Sequence, residues 1–143
     1  MNLLSQSSMS IHLFPLPAGV GPNAPAGVDT KGFGAILFLT LIGQVTGAGI
    51  TEIKLQSSPQ QLALPSTAWT DVPGGTLVST PGKSFTYLAI DVIKPRVRYV
   101  RLVLTRSVAN SVFDGTTAIL YNPEVAPTIV DPDKLDKFAI VTL

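Results

Sequence analysis

Between Ile50 and Gln56 apolar and polar side chains nearly alternate, with Ile53 and Leu55 set among Glu52, Lys54 and Gln56. A period of two belongs to a β-strand with one face buried. A polar break follows, and then Trp69-Thr70-Asp71, which contains the single Trp of the chain. Asp71 lies two positions after Trp69 and shares its face if this too is a strand. The same pattern of short strands recurs from residue 33 onward: 33–42, 50–56, 68–72, 76–80, 84–93, 97–106, 116–122 and 137–142, with a weaker candidate at 9–14. Pro73-Gly74-Gly75 and Pro81-Gly82-Lys83 separate some of these with turn chemistry, since Pro pre-sets φ and Gly accepts φ > 0. Asn110-Ser111 and Asp114-Gly115 mark a further bend, and Pro123, Pro127 and Pro132 interrupt the approach to the last strand. No window carries a 3.6-residue apolar period capped at both ends. The best helical candidate is the short VDPDKLDKF, with Asp131 as cap and Pro132 at the first helical position. The expected class is therefore all-β: a β-sandwich or jelly roll of about eight antiparallel strands.

The strongest apolar run, Phe33 to Ile42, is bounded by Gly32 and Gly43 and is about half the ~20 residues a membrane-spanning helix needs. It reads as a fully buried strand. In the stretch 84–93, Leu88, Ile90 and Val92 share one face. In the stretch 97–106, Val100, Leu102 and Leu104 share a face with Arg98, while Tyr99, Arg101, Val103 and Thr105 lie opposite. Trp69, Leu55 and Leu102 are expected in the structural core. Residues 15–32 are rich in Pro, Gly and Ala without any period, and Pro15, Pro17, Pro22 and Pro25 remove backbone donors. This stretch reads as a surface loop or as an extended arm that lies along a neighbour. The expected division is 1–32, an N-terminal strand and Pro/Gly-rich arm, and 33–143, a β-sandwich domain with a short acidic tail segment.

With 143 residues the chain is one domain by length. Only 13% of its residues are charged, about half the usual share of about 25%, while 45% are hydrophobic. Such a chain has little charge to keep its surface in water, which favours covering part of that surface with another copy or a partner. The net charge of +1 creates no field that selects nucleic acid or an anionic membrane. The absence of Cys excludes disulfides, thiol nucleophiles and Cys-based zinc sites. No Lys or Arg precedes Lys31, so the N-terminus lacks the basic start of a secretory signal.

Several groups are candidates for chemistry. His12 is the only His, and no G-x-S-x-G elbow accompanies it, so it reads as a polar residue on an edge strand. Asp131, Asp133 and Asp136 lack the spacing and the turn Gly of a calcium loop and read as a solvated cap or turn. Lys94, Arg96, Arg98, Arg101 and Arg106 cluster beside Tyr99, as in single-stranded nucleic-acid grooves. Arg98 and Arg101 point to opposite faces, however, which splits the cluster and favours a protein interface or a charged strand end. Glu124, Asp131, Asp133 and Asp136 offer an acidic complement. Trp69, Asp71, Tyr87 and Tyr99 form a candidate sugar platform, against the commoner fate of a lone Trp in the core. No catalytic, phosphate-cradling or metal motif is present, so no catalytic, cofactor or metal residue is assigned and a non-enzymatic role is expected.

The order Ile53, Leu55, Gln56, Ser57, Ser58, then Trp69, Thr70, Asp71, Val72, then Arg98, Tyr99, Val100, Arg101, Leu102 resembles a group of small proteins encoded among the head genes of tailed bacteriophages. The resemblance covers roughly residues 33–122. It implies a jelly-roll-like capsid decoration (cement) protein on the outer surface of the virion, made in the bacterial cytoplasm. Its implied partner is the major capsid protein, with a homodimer or homotrimer as the bound form and no nucleic acid, membrane or small-molecule substrate. The interface residues expected on this reading are Arg98, Arg101 and Arg106 on the strand 97–106, and Pro15, Pro17, Pro22 and Pro25 on the arm as a strap. The same Leu-Gln-Ser and Trp-Thr-Asp-Val signature is similar to discoidin-like sandwiches. That resemblance implies a carbohydrate-binding accessory of a phage tail or receptor-binding apparatus.

Overall fold

The computed structural model describes residues 7–60, 69–93 and 95–121, and the backbone path of 135–142. Every regular element among them is a β-strand: β1 (Ser8–Leu13), β2 (Leu16–Asn23), β3 (Val28–Asp29), β4 (Ala35–Val45), β5 (Ile50–Ser58), β6 (Thr70–Val78), β7 (Thr86–Ile93), β8 (Tyr99–Tyr121) and β9 (Leu135–Thr142). They form one sheet organised around β8, a strand of 23 residues. Its first part pairs with β5, from Ser58↔Tyr99 to Ile50↔Ser107. Its second part pairs with β4, from Val45↔Ser111 to Ala35↔Tyr121. The sheet thus has two halves, β6-β5-β8 and β8-β4-β7-β9, that share one bent strand. All pairs are antiparallel except β7 with β9, which is parallel.

The bend lies at residues 107–110 of β8, where Val108 takes a positive φ of 70°. Curling the sheet there brings the two inner faces together over one core. Ile53, Leu55, Val100, Leu102 and Leu104 come from one half, and Ile36, Phe38, Leu88, Ile90 and Phe113 from the other. Alternation places these side chains inward within each regularly paired stretch, and the register shifts around Gly115 and Ser111 change the core-facing parity of β8 from Leu104 to Phe113 and back by Ala118. The result is a jelly-roll-like all-β sandwich. Inside it, the hydroxyls of Thr40 and Thr116 bond each other at 2.8 Å across β4 and β8, so these buried polar groups are satisfied.

Four sequence expectations are corrected by the strand pattern. Pro73-Gly74-Gly75 is no turn between two strands; β6 runs through it as a bulge, with the register against β5 shifting between Lys54 and Gln56. Asn110-Ser111 and Asp114-Gly115 bend β8 without ending it, because Gly115 at φ 111° and Val108 absorb the curvature. Leu135 to Phe138, the end of the expected short helix, belong to strand β9; residues 130–134 lie outside the described residues. The Pro/Gly-rich stretch forms no separate arm. β1, β2 and β3 all pair antiparallel with β8, along the edge opposite β5 and β4. Prolines are tolerated there because an edge strand needs only one side of its backbone for pairing.

Candidate functional site

The residues expected to reach out to a neighbour instead meet one another. β8 carries Arg101 and Arg106 beneath the N-terminal strands, and both are buried, at 4% and 8% exposure. The Arg106 Nη1 donates to the carbonyl oxygens of Pro17 at 2.7 Å and Ser111 at 2.6 Å. The Arg101 Nη1 donates to the carbonyl of Pro25 at 3.2 Å, and its Nε donates to Gln56 Oε1 at 2.9 Å. A proline lacks the N–H but keeps a full carbonyl acceptor, which is what these guanidiniums use. Burial disfavours the charged form and lowers the pKa of both arginines. Pro15, Pro17 and Pro22 are exposed along the outside of this edge, and Pro25 is half-buried.

The Arg101 guanidinium also lies 4.3 Å over the Trp69 ring. Gln56 passes the contact on, donating from Nε2 to Asp71 Oδ1 at 2.8 Å, and Lys54 pairs with Asp71 Oδ2 at 3.1 Å. The hydrogen bond from Gln56, then that from Lys54, holds the Asp71 carboxyl below its ordinary range. Trp69, Leu55 and Leu102 are all buried, but Trp69 covers Arg101 and Gly27, outside the main apolar cluster. A methyl group at Gly27 would lie 2.5 Å from the ring. The sugar platform is therefore not assembled: the Trp ring is stacked on a cation, and Tyr99 sits under Arg98 at 5.1 Å.

Arg98 is the one of the three proposed arginines at the surface, and it is bound to Asp29 through Nε at 2.9 Å and Nη2 at 2.7 Å. This two-point bond is the first cause of an Asp29 pKa of about 2. Lys94, Glu124, Asp131 and Asp133 lie outside the described residues, and only the backbone of Asp136 is described. Among the described residues no group of His, Cys, Asp and Glu is placed to hold a metal ion, and no helix is long and apolar enough to cross a membrane.

His12 is buried, and it carries structure. Its Nε2 accepts the backbone N–H of Leu102 at 3.0 Å, and its ring lies 5.0 Å from that of Phe38. Leu102 falls in a gap of the edge: β3 pairs as far as Val100, and β2 begins pairing at Leu104. The imidazole supplies the acceptor that the backbone leaves out. Burial, followed by the charge of Arg101, lowers its pKa to about 4. A neutral imidazole that accepts at Nε2 carries its proton on Nδ1. Beside it a cleft of about 350 Å³ opens between Ser10, Ile11 and His12 on one wall and residues 25–29 on the other.

The surface feature missed by sequence reasoning is the outward face of β1, β8, β4 and β7. Direct cross-strand partners share a face, so Met9, Ile119, Leu37 and Asp91 form one row, and Ile11, Thr117, Leu39 and Ala89 the next. Leu41 follows, beside Gly115 and Tyr87. Met9, Ile11 and Leu41 are exposed at 59%, 61% and 43%, and Leu37, Leu39 and Ile119 are half-buried. The ionisable acid in these rows, Asp91, is buried and accepts the Tyr121 hydroxyl at 2.6 Å. Its burial raises its pKa despite that hydrogen bond. From Ile36 to Ile42 the run is thus buried on its even-numbered side, while Leu37 and Leu39 are half-buried and Leu41 is exposed. The apolar character of both its faces was the legible sign of a second surface.

No protein-family model and no curated protein matches the chain. Among solved structures it is similar to one titled "Crystal structure of PirA", at 15% identity and a TM-score of 0.36, covering 82% of this chain and 94% of that one. That likeness is too distant to carry any argument about fold or function.

Proposed function

We propose that this chain is a structural, non-enzymatic virion protein: a decoration, or cement, protein on the outer surface of a tailed-phage capsid that bridges neighbouring major capsid subunits. The sequence resemblance motivates the reading, and the observation that carries it is the exposed apolar part of the outward face, on β1, β8 and β4. Met9, Ile11 and Leu41 stand exposed there beside Leu37, Leu39 and Ile119. Contiguous exposed apolar area on a soluble protein marks a surface that works when covered. With 13% charged residues in the whole chain, little else on it competes for water. Each copy needs only modest contacts, because many copies on one shell act together. Arg101 and Arg106, through the carbonyls of Pro25 and Pro17, and Arg98, through Asp29, hold the N-terminal edge in place, so the contact surface we propose is the apolar face.

The test is cryo-electron microscopy of particles from the element encoding this gene, with and without the gene, together with binding of the purified protein to bare capsids. Ordered copies on the outer shell, and capsid binding lost in Leu41→Glu but kept in Arg98→Ala, support the reading. A bare shell with the protein on the tail overturns it and leads to glycan binding as the next assay.

A further inference from the structure

We infer that β1 pairs with β1 of a second copy, antiparallel about a two-fold axis, so that the outward apolar face continues across both molecules. This goes beyond the capsid reading and holds whether or not the chain sits on a shell. It begins from the sheet edges. An unpaired strand edge offers a row of N–H and C=O groups to any incoming strand, and proteins blunt such edges with prolines, charges, bulges or covering segments. β6 has Pro73, a bulge and the Lys54–Asp71 pair, and it lies close to β9. β2 has Pro17, Pro22 and two register shifts against β8. β3 is two residues long. The sequence of β9 includes Asp136 and Lys137.

Among the described edge strands β1 alone has neither charge nor proline: its sequence is SMSIHL, and Ser8 to Ile11 are all exposed. Its register shift lies at the far end, between Ile11 and Leu13. One side of the strand is paired with β8. The other makes no backbone hydrogen bond among the described residues and opens on the cleft beside residues 25–29.

A two-fold axis perpendicular to the sheet keeps odd-numbered residues of both copies on the same face. Residues directly opposite each other must share a face, so their numbers sum to an even value. Centring the axis on Ser10 sets Met9 against Ile11 of the second copy and Ile11 against its Met9. Both exposed side chains then gain apolar cross-strand partners. No charge on the strand opposes the pairing, and an isologous contact of this kind closes at two copies. The occupant is thus a second copy of this chain, since the same five residues, Ser8 to His12, supply both halves of a matched pair.

The chain has no native Cys, so single-cysteine variants report the contact cleanly. In the Ser10-centred register the two Ser10 Cα atoms lie about 4.5–5.5 Å apart, within disulfide range. Ser10→Cys is expected to form an intermolecular disulfide under mild oxidant much faster than Ser107→Cys, an exposed control on β8. Sedimentation of the untagged wild type is expected to show a dimer, with Ile11→Lys weakening it by roughly tenfold or more. Amide exchange on Ile11→Lys reports folding separately. A monomeric wild type, equal oxidation rates for the two cysteine variants, or a folded Ile11→Lys with undiminished dimer affinity would each overturn the pairing.

Discussion

At the scale of single residues, His12 ties acidity to stability. Its pKa in the folded protein is about 4 against an ordinary 6.5, because burial and Arg101 both disfavour the imidazolium. A group whose folded pKa is depressed stabilises the fold fully above its unfolded pKa and loses that contribution as pH falls toward the folded one. The window is therefore pH 6.5 down to about 4. The expected loss is about 3 kcal/mol, read by denaturant unfolding at several pH values. Asp91, raised by burial, acts in the opposite direction from the ordinary carboxylate range upward, so the comparison that isolates His12 is His12→Phe. That variant is expected to lose about 1–3 kcal/mol at pH 7, since the Leu102 N–H is left without an acceptor. Its stability should vary less with pH across the window; an unchanged slope would sink the assignment. Arg101 makes a second case. Arg101→Leu strips donors from Gln56 Oε1 and the Pro25 carbonyl and uncovers Trp69, with an expected cost of about 2 kcal/mol. A red shift in the emission of the single Trp should accompany it, and Arg101→Lys should restore only part, because an ammonium cannot reproduce the planar fork. Emission identical to wild type in Arg101→Leu would contradict the stacking.

At the scale of elements, the alternation at Ile53 and Leu55 was legible, and β5 stands where it pointed, extended to Ser58. The long strand β8 was not legible. Local chemistry at Asn110-Ser111 and Asp114-Gly115 reads as a bend between two separate strands, and nothing in a short window distinguishes that from a bend within one strand that pairing on both sides keeps extended. Val108 shows the consequence: a β-branched residue, 70% exposed, held at φ 70°. L-residues avoid this region at a cost of about 1–2 kcal/mol, while Asn tolerates it. Val108→Asn is therefore expected to stabilise the protein by about 1 kcal/mol in chemical denaturation, and a destabilised variant would mean that the side chain packs in some other way. The turn at Pro81-Gly82-Lys83 was legible and has a narrower requirement than sequence indicates. Gly82 sits at φ 74°, and a Cβ there would stand 2.5 Å from the carbonyl oxygen of Gly47. Gly82→Ala should cost roughly 1–3 kcal/mol, from backbone strain and from separating the turn from the 46–49 loop.

At the scale of the whole molecule, the all-β class could be read from the chain, but the role of its first 32 residues could not. Proline and glycine without a period carry no sign of a pairing partner. That stretch is bound to β8 by backbone pairing and by Arg101 and Arg106 reaching the carbonyls of Pro25 and Pro17, and backbone partners leave no trace in sequence. Two of the candidate contact residues, Arg101 and Arg106, are buried for the same reason: the stretch expected as an arm pairs with β8 and covers them. The two views differ in what deletion should do. A detachable arm implies that residues 33–143 fold alone. The structure implies the reverse. Without residues 1–32 the whole edge of β8 opposite β5 and β4 loses β1, β2 and β3. Leu13 leaves the core, the Leu102 N–H loses His12, and two buried guanidiniums lose carbonyl partners. An unsatisfied buried polar group costs about 1–3 kcal/mol, and more if charged, so together these losses rival the total stability of a typical domain, about 5–15 kcal/mol. The 33–143 fragment is expected to be unfolded or aggregated by circular dichroism and amide NMR. Adding a peptide of residues 1–32 should restore structure if the edge is what is missing. A well-dispersed spectrum from the fragment alone would show that the N-terminal strands are an accessory to a body that stands without them.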